Sequence, residues 1–268
     1  MCKFARNLKF RVDILRNKVA LITGSATGLG KRAAIELAKE GIDIILNYVH
    51  SKEKAWETSR FLSETYGVRS IAIQADISLY EDVRNLIRLT ITEMGRIDIL
   101  IHNAGPYIKE RKNMSDYTED EWHLMINGNL NSVFYLSKLT LPLMRQNQWG
   151  RIITIGFDRA ETAPAWKYRA AYAAAKSGVA SLTKTLALEE AENGITVNMV
   201  CPGDIPDGYK EMNIENVRGQ NDRSNPVGRT GTGEDIARVI HFLCQDDSDF
   251  ITGSVISVTG GKDVLSKK

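Results

Sequence analysis

Short apolar runs alternate with amphipathic helical stretches along nearly the whole chain, and this alternation limits the fold more than any other feature. The predicted strands cover Lys18–Thr23, Asp43–Tyr48, Ser70–Ala75, Ile97–Ile101, Arg151–Ile155, Ile195–Val200 and Ser254–Val258. The predicted helices cover Lys31–Glu40, Glu53–Tyr66, Tyr80–Met94, Thr118–Met144, Tyr172–Glu192 and Gly233–Leu243. We expect Pro142 to tighten or end the fourth of these helices. Strands that alternate with helices of this length form right-handed crossover units. The sequence therefore predicts an α/β fold with a Rossmann-type, doubly wound parallel sheet of about seven strands.

The 268 residues fit one domain, because α/β domains often run to about 250 residues as a single unit. No linker or internal repeat divides the chain. Residues 1–16 carry five basic side chains and one acid, and no apolar segment of signal-peptide length follows them. We interpret 1–16 as a solvated basic tail rather than a targeting arm, and 17–268 as the domain. Within the domain, residues 202–229 are rich in Gly, Pro, Asn and charged residues, which predicts a lid loop.

Composition and residue spacing exclude several classes of function. A net charge of +2 gives no reason to expect a nucleic-acid partner, and the longest apolar runs are strand-sized, so no membrane partner is expected. Cys2, Cys201 and Cys244 are widely spaced, which is typical of reduced thiols in a cytoplasmic protein. The four histidines lack the spacing of metal ligands, so we expect no bound metal.

A glycine-rich loop, Thr23–Gly30, joins the first predicted strand to the first helix. Gly24 permits a tight turn, Gly28 lets the backbone approach a pyrophosphate, and Gly30 allows close packing of helix on strand. The helix N-terminus then offers free N–H groups to phosphate oxygens. The spacing G-x-x-x-G-x-G differs from the usual G-x-G-x-x-G, but its place in a strand–helix–strand unit predicts a dinucleotide site.

The end of the second predicted strand bears on which dinucleotide is bound. A site that prefers NAD usually carries Asp or Glu there, about 20 residues after the glycine loop. Here Asn47 and Tyr48 occupy the end, and His50, Ser51 and Lys52 follow. No carboxylate would repel a 2′-phosphate, and Ser51, Lys52 or His50 would receive one. We therefore predict NADP(H) in preference to NAD(H).

Tyr172 and Lys176 stand four residues apart near the start of a predicted helix, which puts phenol and ammonium on one helical face. A cation within about 4–6 Å favours the phenolate and lowers the pKa of a tyrosine. Such a tyrosine is suited to giving a proton to a carbonyl that is being reduced. The pair alone is a weak motif, because an exposed lysine beside a packed tyrosine is common.

Taken together, the motifs resemble the short-chain dehydrogenase/reductase family, and bacterial 3-oxoacyl-[acyl-carrier-protein] reductase-like members in particular. The resemblance runs from about Lys18 to Asp263. It rests on Thr23–Gly30, Asp76, Asn103-Ala104-Gly105, Asn129, Tyr172, Lys176, Pro202-Gly203, Ile251-Thr252-Gly253 and Gly260-Gly261.

The resemblance implies roles for the matching residues. Tyr172 would be the general acid/base, Lys176 would bind the nicotinamide ribose and lower the tyrosine pKa, and Asn129 would hold a water of a proton relay. The implied cofactor contacts are Gly24, Ser25, Thr27, Gly28, Leu29, Gly30, Tyr48, His50, Ser51, Asp76, Ile77, Asn103, Ala104, Gly105, Tyr172, Lys176, Pro202, Gly203 and Ile205. The strand order implied is 3-2-1-4-5-6-7. A homodimer or homotetramer would form through the Thr118 and Tyr172 helices and the last strand.

Phe157 occupies the position where the family carries its catalytic serine, and the segment Phe157–Ala171 is about two residues longer than usual. Loss of one preorganised hydrogen-bond donor typically costs about 10²–10³ in rate. Asp158, Thr162 or Tyr168 would replace the serine if the longer segment folds back, whereas strand alternation points Thr154 away.

Other departures affect the cofactor site. Asp207 replaces a threonine that holds the cofactor in relatives, which brings negative charge near phosphates unless the loop is displaced. Thr27 stands where many NADP-using relatives have a basic residue.

Two function classes follow from this pattern. The first is an NADP(H)-dependent oxidoreductase that interconverts a carbonyl and a secondary alcohol, on a small molecule or on an acyl thioester such as a 3-oxoacyl thioester. Intact Tyr172, Lys176 and Asn129 favour it. The alternative is a dinucleotide-binding protein of low or no catalytic activity, acting as a sensor or assembly partner, which Phe157 and Asp207 favour.

Overall fold

A computed structural model describes residues 15, 17–263 and 265. The predicted basic tail, residues 1–16, therefore lies outside the described residues except for Leu15, which is buried in the core. Cys2 also lies outside them, while Cys201 and Cys244 are free, buried thiols.

Seven parallel strands form one sheet in the order β3-β2-β1-β4-β5-β6-β7, which confirms the predicted fold and strand order. The strands are β1 (Val19–Ile22), β2 (Asp43–Tyr48), β3 (Ser70–Gln74), β4 (Ile99–His102), β5 (Gly150–Ile155), β6 (Ile195–Pro202) and β7 (Val255–Val258). Every residue of β1, β2, β4 and β5 is buried. Helices cover both faces of the sheet, so these strands are apolar at both parities.

Seven α-helices cover the two faces of the sheet. They are α1 (Gly28–Ala38), α2 (Lys52–Tyr66), α3 (Tyr80–Met94), α4 (Glu119–Ile126), α5 (Ser132–Asn147), α6 (Ala170–Glu190) and α7 (Gly233–Cys244). Neighbouring residues of a strand enter different cores: Ala20 and Ile22 pack in one cluster with α1 and α7, whereas Val19 and Leu21 pack in a second with α3 and α5. This alternation is the two-residue period of a strand.

The helical stretch predicted over Thr118–Met144 is present, but it is not α-helical throughout. A π-helical turn, Asn127–Asn131, separates α4 from α5. Pro142 does not end α5, which continues to Asn147 with the proline inside it. Leu141 and Met144 on either side of the proline are buried in the core, and this packing outweighs the loss of one helical hydrogen bond.

All seven strands are parallel, so their carboxyl ends meet at one edge of the sheet. The glycine loop after β1 and the segments after β4, β5 and β6 gather there, at the position where open α/β sheets bind ligands. Among the described residues, no helix is both long enough and apolar enough to cross a bilayer.

Candidate active site

The glycine loop after β1 is held against the segment that follows β4. Gly24 has φ +59°, and a Cβ atom there would lie 2.8 Å from the Cβ of Ala104, so only glycine fits. The side-chain amide of Asn103 donates to the carbonyl oxygens of Thr23 and Gly24, at 2.9 and 3.0 Å. The Asn103 amide is thus committed to shaping the loop.

Asn47 at the end of β2 supports the same loop, a role that the sequence did not indicate. Its Oδ1 accepts from the Gly24 N–H at 3.2 Å, and its Nδ2 donates to the Ala75 carbonyl at 2.9 Å. The Ser25 hydroxyl donates to the Ile22 carbonyl at 2.7 Å. Asn47 is a polar residue in a buried strand. The sequence could have indicated this role, because buried polar groups are hydrogen-bonded.

The N-terminus of α1 faces the lid segment 202–229. The Gly28 N–H donates to Oε1 of Glu211 at 2.8 Å, and the Lys31 ammonium lies 2.8 Å from Oε2 of the same carboxylate. A carboxylate therefore bridges a free helical N–H and a lysine at the turn that the sequence assigns to phosphate. Leu29, on the same turn, lines the cavity that contains Tyr172.

The residues that the sequence analysis assigns to the adenosine end lie at the end of β2 and at the start of α2. Tyr48 is buried against Ala26 and Ala55. His50 is exposed and Ser51 precedes the first residue of α2. The Lys52 ammonium lies 4.9 Å from the centre of the Trp56 ring.

Cations that the sequence analysis missed lie beside the start of α1. Lys31 and Lys54 line, with Thr27, a cavity of about 660 Å³. Lys31 is four residues from Thr27, so it lies one helical turn further along the same face. That spacing is visible in the sequence and could have identified Lys31 as a residue near Thr27.

The segment after β3 contains Asp76 and Ile77, which the resemblance assigns to the adenine. Asp76 Oδ1 accepts from the backbone N–H and the hydroxyl of Ser78, at 2.9 and 2.7 Å, and Ile77 is buried. The loop after β3 is therefore fixed by its own carboxylate, next to the glycine loop.

Tyr172 and Lys176 lie in the first two turns of α6, as predicted. The Lys176 ammonium is buried and donates to the Ile155 carbonyl at the end of β5, at 2.8 Å. It lies 5.8 Å from the centre of the Tyr172 ring. Burial lowers the pKa of Lys176 to about 8.

The pKa of Tyr172 moves in the opposite direction to the sequence expectation. Burial raises it well above the ordinary value for a phenol, and the neighbouring Tyr107 and Cys201 side chains add to the increase. Burial of the phenol outweighs the lowering of the pKa expected from the Lys176 ammonium, which donates its hydrogen bond to the Ile155 carbonyl. The Tyr172 phenol is consequently protonated at neutral pH.

Asn129 lies in the π-helical turn between α4 and α5, and such turns are frequent at functional sites. Its Nδ2 donates to the carbonyl oxygens of Pro106 and Met125, each at 3.0 Å. Its Oδ1 is buried and has no hydrogen-bond partner among the described residues. A Cβ at Gly105 would collide with this oxygen and lie 3.5 Å from the Lys176 ammonium, so Asn129 and Lys176 face one small space.

Phe157, at the serine position, is buried and packs its ring 5.1 Å from Trp166 and 6.3 Å from Tyr172. Two of the predicted replacements for the serine form hydrogen bonds with other residues. Asp158 accepts from the Ser257 hydroxyl at 2.7 Å, and the Thr162 hydroxyl donates to the Arg159 carbonyl at 2.9 Å. Tyr168 does line the cavity. The Thr154 hydroxyl forms a hydrogen bond with the Thr183 hydroxyl in α6, consistent with the prediction that Thr154 points away from the side of residue 157.

The cavity beside Tyr172 has a volume of about 960 Å³ and lies at the carboxyl ends of β5 and β6. Pro202, Gly203 and Ile205, which the resemblance assigns to cofactor binding, line it. Two residues missed in the sequence, Tyr107 and Arg169, also line it; Tyr107 follows the Asn103-Ala104-Gly105 motif by only two positions, which was the available signal.

The negative charge of Asp207 is compensated. Its carboxylate lies 2.7 Å from the Lys210 ammonium and 3.3 Å from that of Lys109, and its side chain is 74% exposed. These lysines lower the pKa of Asp207. Asp207 is therefore a surface carboxylate with two cationic partners.

Over the described parts of the chain, no group of three or more His, Cys, Asp or Glu side chains is arranged to hold a metal.

The chain is similar in sequence to known oxidoreductases. Residues 24–263 match a family model described as Enoyl-(Acyl carrier protein) reductase. The chain is 48% identical to the Bacillus subtilis protein YtkK, whose name gives only the general class oxidoreductase, over 92% of this chain and 97% of that protein. It is 36% identical to 3-oxoacyl-[acyl-carrier-protein] reductase FabG of Staphylococcus epidermidis, over 91% of this chain and 98% of that protein. A blue fluorescent protein from a metagenomic library, solved in complex with NADPH, superposes with a TM-score of 0.80 at 32% identity and covers 92% of this chain and 98% of its own.

Proposed function

The chain belongs to the short-chain dehydrogenase/reductase family, and from that premise we propose that it is an NADP(H)-dependent oxidoreductase that interconverts a carbonyl and a secondary alcohol. One observation carries the proposal. Lys176 lies near the Tyr172 ring at the end of β5 and faces the same small space as the Oδ1 of Asn129, which has no hydrogen-bond partner among the described residues, and Tyr172 lines a cavity of about 960 Å³. A buried polar atom without a partner points to a bound water or ligand group.

The residues present fit a nicotinamide dinucleotide. The loop at Gly24 and Gly28, the Leu29 turn and the segments at Asp76 and Asn103 would hold its adenosine and phosphate groups, while Pro202, Gly203 and Lys176 would hold the nicotinamide end. When bound, the dinucleotide supplies or accepts the hydride. The absence of a carboxylate at the end of β2 and the presence of Lys31 and Lys54 nearby support NADP(H) over NAD(H).

In reduction, Tyr172 gives its phenolic proton to the carbonyl oxygen while the carbonyl carbon receives hydride. The raised pKa of Tyr172 keeps this proton in place at neutral pH. The Lys176 ammonium, charged below about pH 8, stabilises the phenolate that is left. The free oxygen of Asn129 would hold a water that returns a proton through Lys176.

The proposed substrates are 3-oxoacyl thioesters or smaller ketones. Support comes from the 3-oxoacyl reductase among the relatives and from the aromatic wall of Phe157, Trp166 and Tyr172, which excludes water from an acyl group.

A second candidate function rests on Phe157 alone. With no donor at the end of β5, the protein would bind a dinucleotide with little turnover and act as a sensor or assembly partner.

We also propose a homodimer or homotetramer in the cytoplasm. Large apolar side chains on the elements expected to form the interfaces are exposed: Leu124 in α4 is 50% exposed, Phe134 in α5 50%, and Leu188 in α6 82%. An interface through these helices would cover the three side chains.

The test is NADPH consumption with acetoacetyl and longer 3-oxoacyl thioesters and with simple ketones, for wild type and Tyr172→Phe. We expect wild-type turnover, and a loss of about 10²–10⁴ in kcat for the variant. NADPH binding, followed by fluorescence, should be unchanged. Equal turnover by both proteins, or NADPH binding with no turnover of any substrate by wild type, favours the second candidate.

A further inference from the structure

A second hydrogen-bond donor to the substrate oxygen, in addition to Tyr172, would speed the reaction proposed above, and residue 157 at the end of β5 does not provide one. Phe157 fills that position with a buried ring. The following inference rests on the proposed function and concerns which group takes over this role. Any candidate must line the cavity, lie next to the Tyr172 hydroxyl and have a proton that is not already committed.

Arg169 organises one wall of this cavity. It immediately precedes α6 and is buried, although it carries a charge. Its guanidinium donates to the carbonyl oxygens of Lys109 and Glu110, at 2.9 and 2.5 Å, and to that of Tyr168 at 3.1 Å. Arg169 thus fastens the segment after β4 to the start of the helix that carries Tyr172.

Another donor of Arg169, its Nε–H group, is directed at Tyr107. The Arg169 Nε–H donates to the phenolic oxygen of Tyr107 at 2.6 Å. A guanidinium has donors only and does not lose its proton, so the Tyr107 oxygen is the acceptor in this bond. The Tyr107 O–H is therefore not used by Arg169, and the described part of the chain contains no acceptor for it. Hydrogen bonding to a cation polarises the phenol and strengthens it as a donor.

Tyr107 is placed next to Tyr172. The two rings form an edge-to-face pair with centroids 5.0 Å apart and an interplanar angle of 87°. Both side chains line the cavity of about 960 Å³.

Two other uncharged side-chain donors among the lining residues serve as comparisons. The Trp166 ring lies 6.0 Å from that of Tyr172 but packs on Phe157, which is the apolar side of the site. Tyr168 also lines the cavity, with the Lys167 ammonium 4.7 Å from its ring, but it makes no ring contact with Tyr172 that would fix its position. Among the described residues that line the cavity, Tyr107 alone combines ring contact with Tyr172 and a hydroxyl oxygen that accepts a hydrogen bond from a cation.

We infer that Tyr107, oriented and polarised by Arg169, is a catalytic residue that donates a hydrogen bond to the substrate carbonyl oxygen in place of the absent serine. As hydride reaches the carbonyl carbon, the C=O π electrons move to the oxygen, and the Tyr172 proton forms the new O–H bond. Tyr107 keeps its own proton throughout and stabilises the negative charge that develops on the oxygen. Arg169 is a positioning residue, since it acts through Tyr107.

The test compares Tyr107→Phe with Tyr168→Phe, each of which removes one hydroxyl from the same cavity and keeps the ring. NADPH-dependent reduction of acetoacetyl-CoA and of simple ketones is measured, with kcat and KM determined separately. For Tyr107→Phe we expect kcat to fall by about 10²-fold, as for loss of one preorganised donor, with KM and NADPH affinity within threefold of wild type. Tyr168→Phe should keep kcat within threefold. Arg169→Lys should show an intermediate loss in kcat, with little further loss in the Tyr107→Phe background.

Several outcomes would overturn the inference. If Tyr107→Phe keeps wild-type kcat while Tyr172→Phe abolishes turnover, the enzyme assignment stands and Tyr107 has no catalytic role. The same conclusion follows if the two hydroxyl deletions are equally harmful, or if Tyr107→Phe raises KM alone. A wild-type protein that binds NADPH and reduces none of the substrates overturns the proposed function, and this inference with it.

Discussion

The ammonium group of Lys176 donates a hydrogen bond to the carbonyl oxygen of Ile155, which lies 2.8 Å away at the end of β5. This contact ties the helix that carries Tyr172 to the strand end where the family places its serine. It satisfies the ammonium with a neutral acceptor, so the charge has no carboxylate partner and its burial lowers the pKa of Lys176.

The activity should therefore depend on pH in a defined direction. Burial lowers the pKa of Lys176 to about 8, so the ammonium loses its charge as pH rises through that value. The neutral amine no longer stabilises the phenolate of Tyr172, and kcat/KM for carbonyl reduction should be level below pH 7 and fall above about pH 8. Initial rates between pH 6 and 10 check this, with circular dichroism confirming that the fold persists. A level profile up to pH 10 would contradict it.

Glu211 should weaken cofactor binding. Its carboxylate accepts from the Gly28 N–H at the start of α1, where an anionic phosphate is expected to bind. Glu211→Gln removes the charge and keeps the shape, so NADPH should bind roughly 2- to 5-fold more tightly, from about 0.5–1 kcal/mol. The matched control is Glu215→Gln, which removes an exposed acid from the same lid. Fluorescence titration measures both, and weaker binding by Glu211→Gln would refute the expectation.

Lys31 should contribute to selectivity for NADPH. Its ammonium reaches the start of α1, at 2.8 Å from the Glu211 carboxylate, whereas the Lys52 ammonium lies over Trp56. Lys31→Gln is expected to weaken NADPH binding about tenfold, from about 1.4 kcal/mol for a charged contact, and NADH binding by less than twofold. Lys52→Gln serves as the comparison. A larger selectivity loss in Lys52→Gln would return the 2′-phosphate to the residues first predicted from the sequence.

Phe157 should stabilise the fold as well as occupy the serine position. Its ring is 4% exposed and contacts Trp166 and Tyr172. Phe157→Ala should lower the free energy of unfolding by about 3–5 kcal/mol, the usual cost for a buried phenylalanine. Urea denaturation measures this at one protein concentration. Phe61→Ala, at a ring that is 41% exposed, should cost less than half as much; equal costs would show that the Phe157 site collapses around the missing ring.

The sequence pattern alone determined the parallel sheet, and the resemblance to the family implied the strand order that the structure has. The alternation of apolar runs with helical segments fixed the parallel topology, because such strands can be joined only by crossovers of one hand. The spacing of Tyr172 and Lys176 fixed their common face, since it follows from the helical repeat. These features are local or repeat along the chain, so a single sequence is enough to read them.

Only the tertiary structure decided how the site works. The pKa of Tyr172 rises rather than falls because burial, which depends on the whole surrounding fold, outweighs a lysine four residues away. The turn at Asn127–Asn131 interrupts a helix that its local pattern predicted to be continuous, and it leaves the oxygen of Asn129 free. Tyr107 and Arg169 are 62 residues apart in the chain and meet only because β4 and β5 are neighbours in the sheet. Contacts across such separations depend on packing, and no local pattern encodes them.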